Sequence, residues 1–436
     1  MPVLAGCLAF LAFVLGAAPA HPDRSILKQP IGHWPTAGAR HLARLGVERW
    51  HAAGFRGRGV KVAVLDSGFR GYREQLGKSL PRQVTVRSFR GDGNLEAEDS
   101  RHGILCAEVV HALAPEAALL FANWDPDRRD QFLRAVAWAR AQGARVISCS
   151  LIMPSWSDGQ GGGPVHQALA RLLGRGDQAG DVLFLACAGN TAQRHWAGRF
   201  HGDGRGFHQW KPGQTDNPLT PWDRRRVSVE LYGPPGAGYD LYVEDASTAR
   251  QVAASTAEQR ADGQPAVARF LPEPRHRYRV RVRLARGTAA LFHLVALGAN
   301  LDVTTARGSI CFPADGTAVI AVGAVNARGQ RRPYSSCGGA GSLAKPDLVA
   351  PVPFPSACRT RSFSGTSAAA PQAAALAALW WSRHPECTAR RVRAALYTSA
   401  RAVSAAGHGL IHLPAPQAKV HSSRHAPPEA ASSGGA

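Results

Sequence analysis

The chain has 436 residues, 45% of them hydrophobic and 19% charged. That excludes a disordered or fibrous chain and leaves room for one large domain plus a second module. The formal net charge of +21 rests on arginines spread along the chain, as in Arg224-Arg225-Arg226 and Arg275 to Arg286. They are not interleaved with aromatics as in nucleic-acid modules, so a solvated basic surface is expected and no specific nucleic-acid partner.

In chain order, Val3 to Ala17 is an apolar run followed by the small-x-small pattern Ala18-Pro19-Ala20. Residues 1–20 therefore read as an export signal, too short for a comfortable membrane span. No later stretch of about 18 apolar residues suggests a transmembrane helix. Val47 to Gly54 reads as a helix entering an α/β domain. Val60 to Asp66 is a β-branched run of the kind that forms a central strand, ending in a carboxylate. Asp99-Ser100-Arg101-His102-Gly103 precedes a helix-like run, Ile104 to Leu113, which sets His102 near a helix start. Two further apolar runs, Ile147 to Met153 and Leu185 to Asn190, follow.

Beyond Asn190 the pattern changes. Arg226 to Tyr232, Tyr239 to Val243, Tyr278 to Leu284 and Ala290 to Leu297 alternate polar and apolar residues between Gly, Pro and Asp turns. That is the signature of a β-sandwich, so residues 196–306 are expected to be an inserted all-β module in an α/β domain formed by residues 21–195 and 307–413. Trp196 to Trp222, rich in His, Gly and Trp, reads as a loop flanking it. Residues 414–436 are Ala/Ser/Pro-rich and expected to be disordered.

The most informative run is Phe363-Ser-Gly-Thr-Ser-Ala-Ala-Ala-Pro371. A serine becomes a nucleophile when it is held exposed, with a base beside it and amide donors facing the developing oxyanion. Gly365 permits a tight turn, and Ser367 then opens the alanine-rich stretch Ala368 to Trp381, which reads as a buried helix. At such a helix start the serine has unpaired N–H groups and the positive end of the helix dipole beside it. Pro371 is expected in the first turn, where a missing N–H costs nothing. The bland reading is a small-residue turn capping an ordinary helix.

Asp66, His102 and Ser367, in that chain order and with these surroundings, resemble the subtilisin-like serine peptidases (subtilases). Gly365 to Pro371 matches that family's nucleophile motif and Val64-Leu65-Asp66-Ser67-Gly68 its acid motif. Leu185 to Asn190 looks like the segment whose Asn donates to the oxyanion, and Lys345 to Pro351 like the segment preceding the nucleophile. The resemblance implies a parallel sheet flanked by helices and a secreted endopeptidase acting on proteins or peptides. Ser367 would be the nucleophile, His102 the general base, Asp66 its orienting acid and Asn190 an oxyanion donor. It also implies that Ser150, Leu151 and Ile152 form the substrate-pairing edge. A bacterial source, a periplasmic or extracellular location and a monomer are the matching expectations.

Two positions depart from the family pattern. Glu108 stands where a small residue is usual and is expected on an exposed helix face. Ile152 replaces the glycine that gives the substrate room, which keeps open a competing reading as an exported, non-catalytic binding protein on a decayed peptidase scaffold. An α/β-hydrolase is excluded, since neither Gly-x-Ser-x-Gly nor the order Ser, Asp, His is present. Eight cysteines are present, of which Cys7 would leave with the signal. Cys106, Cys149 and Cys187 are expected as buried thiols, while Cys337 and Cys358 flank the approach to the nucleophile and could be either bridged, in an exported protein, or free. No spacing suggests a zinc site and no cofactor is expected. Subtilases often bind calcium, but no acidic loop here matches one.

Overall fold

A computed structural model of the chain describes residues 36–97, 100–261, 264–338 and 344–416. The expected export signal with Cys7, Asp99, and residues 417–436 of the expected tail lie outside the described residues.

The β-branched runs become the centre of one eight-stranded sheet. Its first five strands are β1 (Lys61–Leu65), β2 (Thr85–Ser88), β3 (Ala118–Asn123), β4 (Val146–Cys149) and β5 (Leu183–Cys187). Nine strands of the inserted region follow: β6 (His195–Arg199), β7 (Asn217–Pro221), β8 (Val227–Tyr232), β9 (Ala237–Asp245), β10 (Gln251–Ser255), β11 (Ala266–Phe270), β12 (Tyr278–Gly287), β13 (Leu291–Leu297) and β14 (Ala299–Leu301). The large sheet is completed by β15 (Val319–Val325), β16 (Leu348–Pro351) and β17 (Gly409–Leu410). Across it the order is β17-β16-β15-β5-β4-β1-β3-β2, with every pairing parallel.

The helices are α1 (Thr36–Leu45), α2 (Val47–Ala52), α3 (Tyr72–Gln75), α4 (His102–Leu113), α5 (Arg129–Ala141), α6 (Pro164–Leu173), α7 (Thr366–Arg383) and α8 (Ala389–Ser399). Parallel strands covered on both faces need apolar residues at consecutive positions. β4, β5 and β15 are accordingly buried at every residue. Alanines in α7 let its backbone lie close across β4, β5 and β15 and against α4. β1 pairs with β3 on one side and β4 on the other, so the winding direction reverses there. Open α/β sheets form crevices at the carboxyl ends of strands beside such a reversal.

The inserted strands form two antiparallel sheets, one of order β10-β9-β12-β7-β14 and one of order β11-β8-β13-β6. Strand side chains alternate between faces. Val227, Val229 and Leu231 of β8, with Phe292, Leu294 and Ala296 of β13, fill the core between the sheets. Their alternates Glu230, Tyr232, His293 and Val295 are also buried, against the α/β domain instead of solvent. Ser155 N–H donates to Glu230 (3.1 Å) across this junction. The stretch read as a loop, Trp196 to Trp222, contributes β6 and β7. Trp196 of β6, Leu219 of β7 and Trp210 of the connection between them enter the sandwich core, both tryptophans packing with Phe292; neither strand carries a long alternating pattern.

Candidate active site

Asp66 directly follows β1 and is fully buried. His102 is the first residue of α4, its side chain 30% exposed, and its Nδ1 lies 2.8 Å from each Asp66 carboxylate oxygen. The same carboxylate accepts from the Ser67 N–H (2.8 Å), the Ser67 hydroxyl (3.3 Å) and the Cys106 thiol (3.5 Å). Glycine at 103 is what lets α4 start this close to β1. A Cβ there would lie 2.5 Å from the Phe69 ring and 2.8 Å from the Gly68 carbonyl oxygen. Burial is the largest single influence on His102 and disfavours its charged form. The Asp66 charge and hydrogen bond outweigh it and hold the imidazole well above its ordinary value. Cys106, its thiol pushed up by burial, stays neutral.

Ser367 is the second residue of α7, after Gly365, whose φ of 93° turns the chain into the helix. Pro371 lies inside α7, not in the first turn as expected. Lacking an N–H, it cannot bond the Ser367 carbonyl four residues back. The Ser150 hydroxyl (3.1 Å) and the Cys106 thiol (3.6 Å) donate to that carbonyl instead. Cys106 therefore bridges the Asp66 carboxylate and the Ser367 main chain. The Ser367 hydroxyl donates to the Ser150 carbonyl at 3.3 Å, so it is turned toward the β4 side.

Asn190 follows β5, next to β4 in the sheet. Its Oδ1 accepts from the Thr366 N–H and hydroxyl, both at 3.0 Å. Because the amide N–H of Thr366 can only donate, this fixes the Asn190 orientation and, among the described residues, leaves Nδ2 as a free donor beside Gly365. The carboxyl ends of β1, β4 and β5 thus bring together Asp66, Ser150 and Asn190, with His102 and Ser367 at two helix starts.

A family model described as the subtilase family matches residues 57–220 and 253–422. The chain belongs to the subtilase family. Subtilisin DY of Bacillus licheniformis is 34% identical over 125 residues, which make up 28% of this chain and 45% of that protein. A Bacillus pumilus subtilisin is 32% identical over 125 residues, with the same shares. The aligned stretch thus spans less than half of either relative. The structure of the Clostridium perfringens CspB protease resembles this fold with a TM-score of 0.59 at 15% identity, covering 84% of this chain and 95% of that one.

The expected edge of this subtilase, Ser150 to Ile152, continues past the end of β4. Ser150 is buried, and Leu151 and Ile152 are half-buried. Ile152 packs with Tyr232, Val295 and Cys311, and its Cγ2 lies 3.5 Å from where a Gly189 Cβ would stand. The inserted sheet therefore backs the very residue that departs from the family pattern.

One expectation is corrected and one open alternative is settled. Glu108 is 1% exposed, not on a solvent face. It accepts from the Ser356 hydroxyl (2.7 Å), the Cys358 N–H (3.0 Å) and the Ala357 N–H, tying α4 to the chain that leads into Ser367. Cys337 and Cys358 are both free thiols with separate partners: Cys337 donates to the Ala306 carbonyl (3.5 Å) and Cys358 to Glu108 (3.3 Å). Cys106, Cys149 and Cys187 are buried thiols as expected.

By its apolar surroundings in the sequence Cys106 reads as core filling. The signal that places it in the site is its spacing from His102, since residues four apart share a helix face. Among the described residues, Asp66, His102 and Cys106 are the one group of three such side chains whose donor atoms, within 4.8 Å of one another, suit a metal ion. A neutral, buried thiol and an imidazole nitrogen already bonded to Asp66 make it a poor ligand set. Among the described residues no helix is long and apolar enough to cross a membrane.

Proposed function

We propose that this subtilase is an exported serine endopeptidase that hydrolyses peptide bonds through an acyl-enzyme. The observation that carries this reading is the His102 Nδ1 bond to both Asp66 oxygens, beside a serine at the start of α7 and a free Asn190 amide donor. Nδ1 bound to Asp66 leaves Nε2 as the base, so Ser367 loses its proton to that nitrogen as its oxygen attacks the substrate carbonyl. The hydroxyl must first rotate away from the Ser150 carbonyl; resting sites often hold such bonds out of line until substrate binds. The developing oxyanion meets Asn190 Nδ2 and the Ser367 N–H. The imidazolium, favoured by Asp66, then protonates the leaving amine. Water attacks the acyl-enzyme by the same route in reverse. The pattern in residues 1–20 supports export.

A fluorophosphonate probe tests this reading. Adduct on Ser367, lost in His102→Ala, is the expected result. Folded protein that never labels would favour instead an exported binding protein on a peptidase scaffold.

A further inference from the structure

An open cleft of about 640 Å³ adjoins His102, lined chiefly by Arg101, His102, Leu105, Arg359, Arg361 and Phe363. None of Ser150, Leu151, Ile152 and Asn190 lines it. The imidazole that protonates the leaving amine must face the half of the substrate that departs. The acyl half is assigned to the Ser150 to Ile152 edge, so the cleft on the other flank of His102 receives the residues after the scissile bond. Phe363 closes it from the nucleophile's side, its ring edge-on to His102 at 5.7 Å.

Three cations, Arg101, Arg359 and Arg361, line this cleft. Among the described residues none of Arg101, Arg359 and Arg361 forms an ion pair. Arg359 is oriented by its own loop: Nε donates to the Arg361 carbonyl (2.8 Å) and Nη2 to the Ser362 carbonyl (2.9 Å). Its guanidinium lies 5.6 Å from the Phe363 ring centre, and Nη1 is left free. Glu108 holds the root of the loop at Ala357 and Cys358, its charge spent on those donors. The nearby Asp66 carboxylate is fully buried and bonded to His102. An arginine held this way recognises a carboxylate in preference to a neutral group.

We propose that this cleft binds a carboxylate in the leaving-group half of the substrate, from an acidic side chain or from a free C-terminus close after the scissile bond. The proposal rests on the peptidase reading, and the experiment separates the two.

Quenched fluorescent peptides share one acyl half and carry Asp, Asn or Lys at the first two positions after the bond, all amidated. A second set carries Asn there and ends in a free or amidated C-terminus. The expected result is a preference of about tenfold in kcat/KM for the carboxylate of one set, the set naming its source. The preference shrinks toward unity near 1 M salt, where the screening length is about 3 Å. It disappears in the double variant Arg359→Gln/Arg361→Gln. That variant should cleave a chromogenic acyl anilide, which has no residue after the bond, as fast as the parent, whereas Ser367→Ala should not cleave it.

Binding of the corresponding amidated and free-acid leaving-half peptides to Ser367→Ala protein, read by anisotropy, tests the cleft without turnover. Equal binding and equal cleavage of acidic and neutral peptides overturn the cleft proposal. An inert parent toward the anilide overturns the peptidase reading instead, while the binding series still decides the cleft.

Discussion

Replacing Glu108 with alanine should loosen the chain that enters the nucleophile turn. The carboxylate is 1% exposed and takes two backbone N–H groups, a hydroxyl and a thiol from residues 356–358. Each hydrogen bond to a charged acceptor is worth roughly 1.5–3 kcal/mol. The sum is not what is lost, because Ala357 is exposed and Cys358 half-buried, so water satisfies part of the vacated donors. The cost of burying the carboxylate also vanishes with the side chain. A net loss of about 2–4 kcal/mol follows.

Glu108→Gln should recover no more than about half of it, since the amide keeps one acceptor but turns an NH2 toward backbone donors. Urea unfolding followed by tryptophan fluorescence reads the global loss. Hydrogen exchange at Ala357 and Cys358 reads the local one. A variant within about 0.5 kcal/mol of the parent, with unchanged exchange at both amides, would refute the assignment of Glu108 as the anchor of this loop.

Asn190→Asp should keep the cap on Thr366, because a carboxylate still accepts from its N–H and hydroxyl, yet lose the oxyanion donor. Stability near the parent's with turnover down on the order of 100- to 1000-fold is expected, a range established on subtilisin itself; unchanged turnover would remove Asn190 from the oxyanion site. The pH profile of kcat/KM should rise through a midpoint above about 6.5, since His102 must be neutral to act and Asp66 favours its charged form. Asp66→Asn should move that midpoint down and cost on the order of 10⁴-fold in turnover, and a profile it leaves unmoved would count against the pairing.

Acid should unfold the protein partly through His195 and His293, bonded to each other at 3.0 Å in the inserted sheet. Burial pushes them down to about 3 and about 4 respectively. Both stay neutral when folded, so their contribution is complete above about pH 6.5. It falls by about 1.4 kcal/mol per histidine per pH unit as the pH drops toward 4. Urea midpoints between pH 7 and 5 should fall less steeply in His293→Leu, and an identical slope would exclude the pair as the cause.

Much of the fold and the site was legible because it depends on local order. The unbroken apolar run at Val60 to Leu65 announces a strand covered on both faces, and Gly365 before an alanine-rich stretch announces a helix start. Asp66, His102, Asn190 and Ser367 could be named because each sits at the end of such an element, where chain direction alone puts it on the crevice side. Glu108 and Pro371 differ from their sequence expectations for one reason: their environments are made by segments far away in the chain. Glu108 is buried because residues 356–358 supply donors, and Pro371 is tolerated because Ser150 and Cys106 take the carbonyl it leaves unbonded.

By itself the sequence determined the central strands and the two helix starts of the candidate site, the order of the acid, the imidazole and the hydroxyl, and the alternating runs of an all-β insertion, since these follow from periodicity, turn residues and helix starts. Only the tertiary structure decided that the insertion backs Ile152, that Cys106 links Asp66 to Ser367, and that three arginines line the cleft beside His102. Burial and hydrogen-bond pairing are properties of what packs against a residue. Here the partners come from chain segments tens to hundreds of residues away, which no local pattern encodes.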